Sequence, residues 1–211
     1  MKSTLELNEL TLSLLGQQLL AIDLNIEGGE IATVMGASGA GKSSLLAAIA
    51  GFIDPAFAMT GSIRLNGKEI GDKPAEKRRV GLLFQDALLY PHLSVGGNLL
   101  FGLPSDAGEN TTERKAIAVE ALRSIGMADF FDRDPATLSG GQQSRVALMR
   151  LLLSQPQAVL LDEPFTNLDA KLKNEMRDFV FTTLKEAKIP TLLVTHDRQD
   201  AESAGSQIFD L

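Results

Sequence analysis

The sequence has no cysteine and no long apolar run. Without cysteine, disulfide bonds are impossible, and the chain is compatible with a reducing compartment. No stretch approaches the about 18 apolar residues that a helix needs to cross a bilayer, so any membrane role is expected to come through a partner chain. The first residues also lack the apolar segment of a secretory signal, because Glu6 and Glu9 interrupt them.

Positive charge and aromatic residues are scarce as well. The formal net charge is −7, which argues against nucleic-acid binding, since such proteins typically present a basic stripe. There is no tryptophan, there is a single tyrosine, and no aromatic residue precedes Phe52. Hydrophobic residues make up 44% and charged residues 22% of the 211 positions, which is typical of one globular domain with a full core.

The most informative stretch that is present runs from residue 36 to residue 43 and reads Gly-Ala-Ser-Gly-Ala-Gly-Lys-Ser. This is the pattern of a phosphate-binding loop, in which glycines let backbone N–H groups converge on an anion. Lys42 adds a charge for the β- and γ-phosphates, and Ser43 offers a hydroxyl to Mg²⁺. A strand at 31–35 and a helix at 44–50 are predicted on either side. The predicted phosphate-binding residues are Gly36, Ala37, Ser38, Gly39, Ala40, Gly41, Lys42, Ser43 and Ser44.

A second motif places two acids after an apolar run. Residues 158–161 read Ala-Val-Leu-Leu, which is typical of a buried strand, and Asp162 and Glu163 follow directly. In an open α/β sheet such a strand delivers its last residue to the carboxyl edge, where ligands bind. Asp162 suits the Mg²⁺ shell. Because neighbours on an extended chain face opposite ways, Glu163 is predicted to point elsewhere and to polarise the water that attacks a γ-phosphate.

Strands and helices alternate over much of the chain. Alternating or apolar segments predict strands at 4–7, 10–14, 20–26, 61–67, 158–161 and 191–195. Asn110, with Glu113 three residues later, predicts a helix start, and an apolar face continues that helix to Ile125. A further helix is predicted between the last two strands. Strands separated by helices imply an α/β fold with a parallel sheet.

Residues 138–142 read Leu-Ser-Gly-Gly-Gln, which resembles, letter for letter, the signature of the ATP-binding cassette (ABC) ATPases. Ser139 and Gln142 also have the spacing of a capping box, and the glycines between them leave the helix start open to an anion. The other motifs of that family occur in the expected order: Phe84-Gln85-Asp86 for the glutamine loop, Asp162-Glu163-Pro164 for the acid pair, Asn167-Leu168-Asp169 for the D-loop and Thr195-His196-Asp197 for the switch histidine.

This resemblance implies the architecture of a P-loop nucleoside triphosphatase. It implies one ABC ATPase domain over residues 1–211, with a RecA-like parallel-sheet core and an N-terminal antiparallel β subdomain. A helical subdomain is expected as an insertion in the core, at about residues 87–150. The cofactors implied are ATP and Mg²⁺.

The same resemblance implies the roles of individual residues. The implied metal ligands are Ser43, Gln85 and Asp162. The implied catalytic residues are Glu163 as the base, His196 at the γ-phosphate, Gln85 and Lys42. A second copy of the chain is the implied partner in a head-to-tail dimer, in which the signature of one subunit reaches the ATP held by the other. The signature residues with this role are Ser139, Gly140, Gly141 and Gln142.

Residues 88–95 resemble the surface that bacterial import ATPases present to their permease. This implies an ATP-hydrolysing subunit that powers a membrane ABC transporter from the cytoplasmic face of the inner or cell membrane. Its partners would be transmembrane permease subunits and a substrate-binding protein, with no nucleic acid. Asn167 is more typical of export ATPases, so import and export both stay open. A non-transport ABC module in regulation or assembly is the alternative, and the sequence identifies no transported substrate.

Overall fold

A computed structural model describes residues 3–37, 39–166 and 168–211. Within these residues the strands are, in chain order, β1 (Thr4–Leu14), β2 (Gln17–Glu27), β3 (Ile31–Met35), β4 (Phe57–Leu65), β5 (Lys68–Glu69), β6 (Val80–Leu83), β7 (Ala158–Asp162), β8 (Thr191–Thr195) and β9 (Ile208–Asp210). The helices are α1 (Lys42–Ala50), α2 (Ala75–Arg78), α3 (Val95–Gly102), α4 (Thr111–Ser124), α5 (Gly140–Leu153), α6 (Ala170–Glu186) and α7 (Arg198–Ala204). The chain divides into two compact units, the first made of 1–82, 157–163 and 177–211 and the second of 83–156 and 164–176.

One sheet is antiparallel and comes from the N-terminal third of the chain. Its strand order is β2-β1-β4-β5. Side chains alternate along β2, where Leu20, Ile22, Leu24 and Ile26 are buried and the residues between them are exposed. The buried face joins the main apolar core of the first unit. The predicted antiparallel β subdomain is therefore confirmed.

A single long strand replaces the two short strands predicted at 4–7 and 10–14. β1 continues because a bulge at Asn8 and Glu9 shifts its pairing register with both neighbours. Glu9 has a left-handed backbone (φ 48°), and its amide donates a 3.0 Å hydrogen bond to the carboxylate of Asp23. On β4, Gly61 makes room for this bulge, since a Cβ there would collide with the carbonyl oxygen of Glu9.

The other sheet has the strand order β6-β7-β8-β3-β9. The pairs β7–β8, β8–β3 and β3–β9 are parallel, which confirms the predicted α/β fold. β3 and β8 are buried at every residue, so their sequences, Ile-Ala-Thr-Val-Met and Thr-Leu-Leu-Val-Thr, show no alternation between apolar and polar residues. The sequence did not predict β9, because three residues carry no period of their own and this strand depends on its pairing with β3.

Arg78 closes the C-terminal end of α1 in the first unit. Its guanidinium donates to the carbonyl oxygens of Ala48 (2.6 Å) and Ile49 (3.0 Å), which lie in the last turn of that helix. Burial lowers the pKa of Arg78, while the charges of Asp72 and Glu69 act in the opposite direction. A cation at a helix C-terminus also interacts favourably with the negative end of the helix dipole. Arg78 therefore anchors the end of α1 that lies opposite the phosphate loop.

Helices dominate the second unit. The side chain of Asn110 accepts a 3.0 Å hydrogen bond from the amide of Glu113, which confirms the predicted start of α4. α3 approaches α5 closely at Gly102, where a Cβ would collide with the carbonyl oxygen of Arg150. The segment predicted as an inserted subdomain, residues 87–150, falls within this unit, and its boundaries remain a prediction.

Candidate nucleotide site

The phosphate loop joins the end of β3 to the start of α1. Helix α1 begins at Lys42 with Gly41 as its N-cap, earlier than the predicted Ser44. The amide of Leu45 already donates a 2.9 Å hydrogen bond to the carbonyl oxygen of Gly41, so the last loop residues form the first helical turn. Gly39 and Gly41 both have a φ of 86°, a conformation that residues with side chains rarely adopt. These two glycines are therefore needed for the shape of the loop.

Lys42 places a buried cation inside the loop. Its ammonium donates to the carbonyl oxygens of Gly36 (2.8 Å) and Ala37 (2.9 Å), and the residue is only 6% exposed. The N-terminal end of α1 adds a partial positive charge at the same place. A cation beside an open helix start is suited to binding phosphate.

Asp162 lies at the carboxyl end of β7, after four buried residues, as the sequence predicted. The Ser43 hydroxyl lies near its carboxylate. Burial, followed by the charge of Glu163, raises the pKa of Asp162, and the Ser43 hydroxyl and the charge of Lys42 offset part of that rise. A hydroxyl oxygen and a carboxylate oxygen thus meet beside the phosphate loop, and hard oxygen donors of this kind fit Mg²⁺.

Glu163 contacts the predicted switch histidine. One carboxylate oxygen of Glu163 lies 3.0 Å from Nδ1 of His196, and the amide of Glu163 donates a 2.9 Å hydrogen bond to the carbonyl oxygen of Val194 on β8. The backbone of Glu163 is left-handed (φ 45°). The predicted extended backbone at Glu163 is therefore wrong. The strand ends at Asp162, and a sharp turn directs the side chain of Glu163 toward His196.

We predict that Asp162→Asn stabilises the nucleotide-free protein. When folding raises the pKa of a carboxyl group, the free energy of unfolding falls as the pH rises from the pKa in the unfolded chain to the higher pKa in the folded protein. The substitution removes this cost. The urea midpoint of the variant should exceed that of the wild type at pH 7, and the difference should close as the pH falls below about 4.

The control for this measurement is Asp210→Asn, because Asp210 is an exposed acid at the end of another strand of the same sheet. The control should leave the urea midpoint unchanged at both pH values. Equal midpoints for Asp162→Asn and the wild type at pH 7 would contradict a destabilising charge at Asp162.

The signature segment begins helix α5 in the second unit. Ser139 is the N-cap, with its hydroxyl oxygen 3.4 Å from the amide of Gln142, and the Gln142 side chain accepts from the amide of Ser139 at 3.0 Å. This confirms the predicted capping box. Gly140 is exposed, and a Cβ at Gly141 would lie 2.6 Å from a methyl carbon of Leu172. The helix start is therefore open on one side and tightly packed on the other.

The predicted site residues are divided between the two units. The first unit contains Gly36, Ala37, Gly39, Ala40, Gly41, Lys42, Ser43, Ser44, Asp162, Glu163 and His196. The second unit contains Gln85, Ser139, Gly140, Gly141 and Gln142. Ser38 and Asn167, which were singled out from the sequence, lie outside the described residues. The structure thus brings together Lys42, Ser43 and Asp162, and it brings Glu163 to His196.

The motifs did not single out Arg177 and Asp200, which form an ion pair of 3.2 Å beneath the histidine turn. Their side chains are only 7% and 2% exposed. The one available signal was position, since Arg177 falls on the apolar stripe of α6 with Val180 and Leu184. A charge on an apolar stripe indicates a buried partner.

A glycine-rich loop between a buried strand and a helix, with its serine near an acid at a strand end of the same sheet, defines a P-loop nucleoside triphosphatase. The chain belongs to the ABC transporter family, whose sequence model matches residues 19–166. Its ATP-binding members are ATPases coupled to transport, and this chain is an ATPase subunit of that kind.

Relatives of known sequence and structure agree with this membership. The ABC transporter ATP-binding protein YnjD of Escherichia coli (strain K12) is 44% identical over 190 residues, which are 90% of this chain and 86% of that protein. The thiamine import ATP-binding protein ThiQ of Aliivibrio fischeri is 40% identical, covering 89% of this chain and 79% of that one. The xylose/arabinose import ATP-binding protein XacJ of Haloferax volcanii is 38% identical, and the chain spans 48% of its length.

The solved structure of cbiO1 from Clostridium perfringens, part of the ABC transporter complex cbiONQ, has the same fold. The TM-score is 0.84 at 29% identity, and the match covers 98% of this chain and 83% of that one. These relatives have transport names, so they give no support to the alternative role in regulation or assembly. Among the described residues, no helix is long and apolar enough to cross a membrane.

Proposed function

We propose that the chain binds and hydrolyses ATP with Mg²⁺, as one half of a head-to-tail dimer with a second copy, and thereby drives a membrane importer. One observation carries the catalytic part of this proposal. The carboxylate of Glu163 contacts His196 at 3.0 Å, and the adjacent Asp162 lies near Ser43 of the phosphate loop. The proposed base Glu163, the histidine that orients it (His196) and the phosphate loop therefore lie at the same edge of one sheet.

The phosphate loop binds the nucleotide in this proposal. The backbone amides from Gly39 to Ser44 surround the phosphates. The ammonium of Lys42 redirects some of its hydrogen bonds from the carbonyl oxygens of Gly36 and Ala37 to phosphate oxygens. Such charge-assisted hydrogen bonds in a buried place are stronger than neutral ones. This supports Lys42 as the main determinant of affinity.

The donor set at the site fits Mg²⁺. Ser43 and Asp162 lie near each other in the first unit, and Gln85 is proposed as a further ligand. No group of three or more His, Asp or Glu residues that could hold a metal occurs among the described residues. That suits a cation that takes most of its ligands from phosphates and water. Bound there, Mg²⁺ would neutralise charge on the phosphates.

Glu163 is proposed to take a proton from the attacking water. Its carboxylate only accepts hydrogen bonds, so Nδ1 of His196 carries the proton in their 3.0 Å contact. The other ring nitrogen of His196 then faces away from Glu163, and it donates to the γ-phosphate only when the ring is doubly protonated. The side chain of Glu163 is 24% exposed, so a water molecule can reach it.

The second copy of the chain would complete the site. Ser139 and the start of α5 form an open, capped helix end, which is suited to a γ-phosphate. Because the phosphate loop already has a helix start of its own, we propose that the signature acts on the nucleotide of the other subunit. We also propose that residues 87–150 form the inserted helical subdomain that carries this signature.

A patch of exposed apolar side chains supports docking of a permease. This permease patch consists of the exposed side chains of Leu88 (57% exposed) and Phe101 (63% exposed), together with the half-buried Tyr90. The rings of Tyr90 and Phe101 lie 4.5 Å apart. Arg150 of α5 fixes the patch by donating to the carbonyl oxygens of Leu88 (2.9 Å) and Ala87 (3.2 Å). Exposed apolar surface of this kind marks interaction sites.

Relatives named for thiamine and for xylose/arabinose import favour the import direction and a cytoplasmic position on the inner or cell membrane. A substrate-binding protein would then deliver the cargo to the permease. Because these relatives are named for different substrates, the comparisons favour no particular cargo.

We predict that Leu88→Glu combined with Phe101→Glu detaches the chain from membranes. Two charges in an apolar contact should reduce the amount recovered with membranes of the native host by about tenfold or more. Leu15→Glu is the control, because Leu15 is 91% exposed and belongs to the first unit. The measurement is immunoblotting of a tagged chain in the membrane pellet. Unchanged recovery of the double variant would contradict docking through the permease patch.

The test of the proposed activity is phosphate release from ATP by the purified chain. Release is expected with Mg²⁺ and should stop when EDTA removes the metal. If membranes from the native host stimulate release, a role in transport is supported. Absence of release from Mg²⁺–ATP both with and without membranes would contradict the proposed function.

A further inference from the structure

A network of buried polar side chains lies directly beneath the turn that contains His196. Arg177 of α6 donates to one oxygen of the Asp200 carboxylate at 3.2 Å. The hydroxyl of Thr195 donates to the other oxygen at 3.4 Å. The same hydroxyl oxygen accepts a 3.0 Å hydrogen bond from the amide of Asp197. These contacts join α6, the start of α7 and the end of β8 on both sides of His196.

The burial of this side-chain network distinguishes it from surface ion pairs. Arg177 is 5% exposed, Asp200 is 2% exposed and Thr195 is 1% exposed. Removing two charges from water costs about as much as their attraction returns, so a buried ion pair is weak evidence of a contribution to stability. Its directional hydrogen bonds can instead select one backbone arrangement. The arrangement selected here is the turn from Thr195 to Asp197.

We infer that the hydroxyl of Thr195, held by Asp200, is a positioning group that sets His196 against Glu163. The inference rests on the proposed function, because it assigns to Thr195 an effect that passes through His196. The side chain of His196 is 56% exposed, and it contacts the carboxylate of Glu163 at 3.0 Å. An exposed imidazole has several rotamers, so the direction in which its backbone presents it decides whether Nδ1 reaches the carboxylate.

The decisive variant is Thr195→Val, which removes the hydroxyl and keeps the branched shape and the Arg177–Asp200 pair. We expect kcat for ATP hydrolysis to fall about tenfold with an unchanged KM, since positioning of a catalytic group is lost while nucleotide binding is kept. Thr195→Ser restores the hydroxyl and should return kcat to near the wild-type value.

The matched control is Thr191→Val at the other end of β8. Thr191 is also fully buried, and its hydroxyl donates a 3.2 Å hydrogen bond to the carbonyl oxygen of Ile189. The two variants therefore each remove one buried, hydrogen-bonded hydroxyl from the same strand. Thr191→Val should leave kcat unchanged, which separates positioning from destabilisation.

Nuclear magnetic resonance gives a readout that does not depend on turnover. The chain has two histidines, and His92 is exposed in the second unit, so the imidazole signals are easily assigned. Glu163→Ala removes the contact partner of His196 and defines where the signal of His196 lies without that contact. Thr195→Val should move the His196 signal toward that position and leave the His92 signal in place.

The outcomes distinguish the inference from the function on which it rests. If His196→Ala leaves hydrolysis unchanged, the proposed role of His196 fails. If His196→Ala abolishes hydrolysis while Thr195→Val changes neither kcat nor the His196 signal, the role of Thr195 fails alone. Equal losses of kcat in Thr195→Val and Thr191→Val would also overturn the inference, because they would indicate a general loss of stability.

Discussion

Glu163→Gln is expected to lower ATP turnover by about 100-fold or more, while ATP still binds. A general base contributes about 10²–10⁴-fold to a rate, and the amide cannot take a proton from water. The shape of the side chain is kept, and its oxygen can still accept from Nδ1 of His196. The measurement is steady-state phosphate release together with titration calorimetry of ATP.

The same variant should accumulate as a dimer. If hydrolysis opens the head-to-tail dimer, a chain that binds ATP without hydrolysing it stays closed, and size-exclusion chromatography with ATP and Mg²⁺ should show twice the mass. Glu202→Gln is the control, because Glu202 belongs to an exposed ion pair with Arg198 on α7. Turnover by Glu163→Gln at the wild-type rate would remove Glu163 from the role of base.

Lys42→Ala is expected to weaken ATP binding by about 100-fold, or about 2.7 kcal/mol. The ammonium supplies a charge for the phosphates and also donates hydrogen bonds to the carbonyl oxygens of Gly36 and Ala37. Without it, two carbonyl dipoles remain in the loop beside the anion. Ser139→Ala should keep the affinity and lower turnover, because the signature serine acts on the ATP of the other subunit. Titration calorimetry and phosphate release separate the two effects.

Mixing these two variants should restore part of the activity that each has lost. Each hybrid dimer combines the intact phosphate loop of one chain with the intact signature of the other, so an equal mixture should reach at most roughly one quarter of the wild-type rate. Ser94→Ala is a control for the loss of a cap, since Ser94 caps α3 in the same unit through the amide of Gly97 at 3.1 Å. Hybrid dimers, identified by two different tags, that show no activity would contradict a signature acting across the dimer.

Much of the fold could be predicted because it depends on local patterns. The buried runs of β7 and β8, the alternation of β2 and the cap of α4 at Asn110 all occur where the sequence indicates them. The features that were not predicted depend on partners distant in the chain. β9 requires its pairing with β3, and the continuity of β1 through a bulge requires the small residue Gly61 on the neighbouring strand.

The candidate site was predictable in its members and less so in its geometry. Sequence patterns identified Asp162, Glu163 and His196, but their order gave no reason for a left-handed backbone at Glu163. At that turn the amide of Glu163 donates a hydrogen bond to the carbonyl oxygen of Val194 on the adjacent strand. The pair Arg177–Asp200 was missed because a charge pattern does not state which charges are buried together. The places of Gln85 and of the signature residues at the nucleotide remain predictions.

The backbone at Glu163 has a consequence for the evolution of chains of this kind. A non-glycine residue in a left-handed conformation costs of order 1 kcal/mol, and the neighbouring Asp162 bears a charge that folding makes less favourable. A lineage that no longer needed turnover would therefore lose little by drifting to glycine or asparagine at these positions, and would resist heat better.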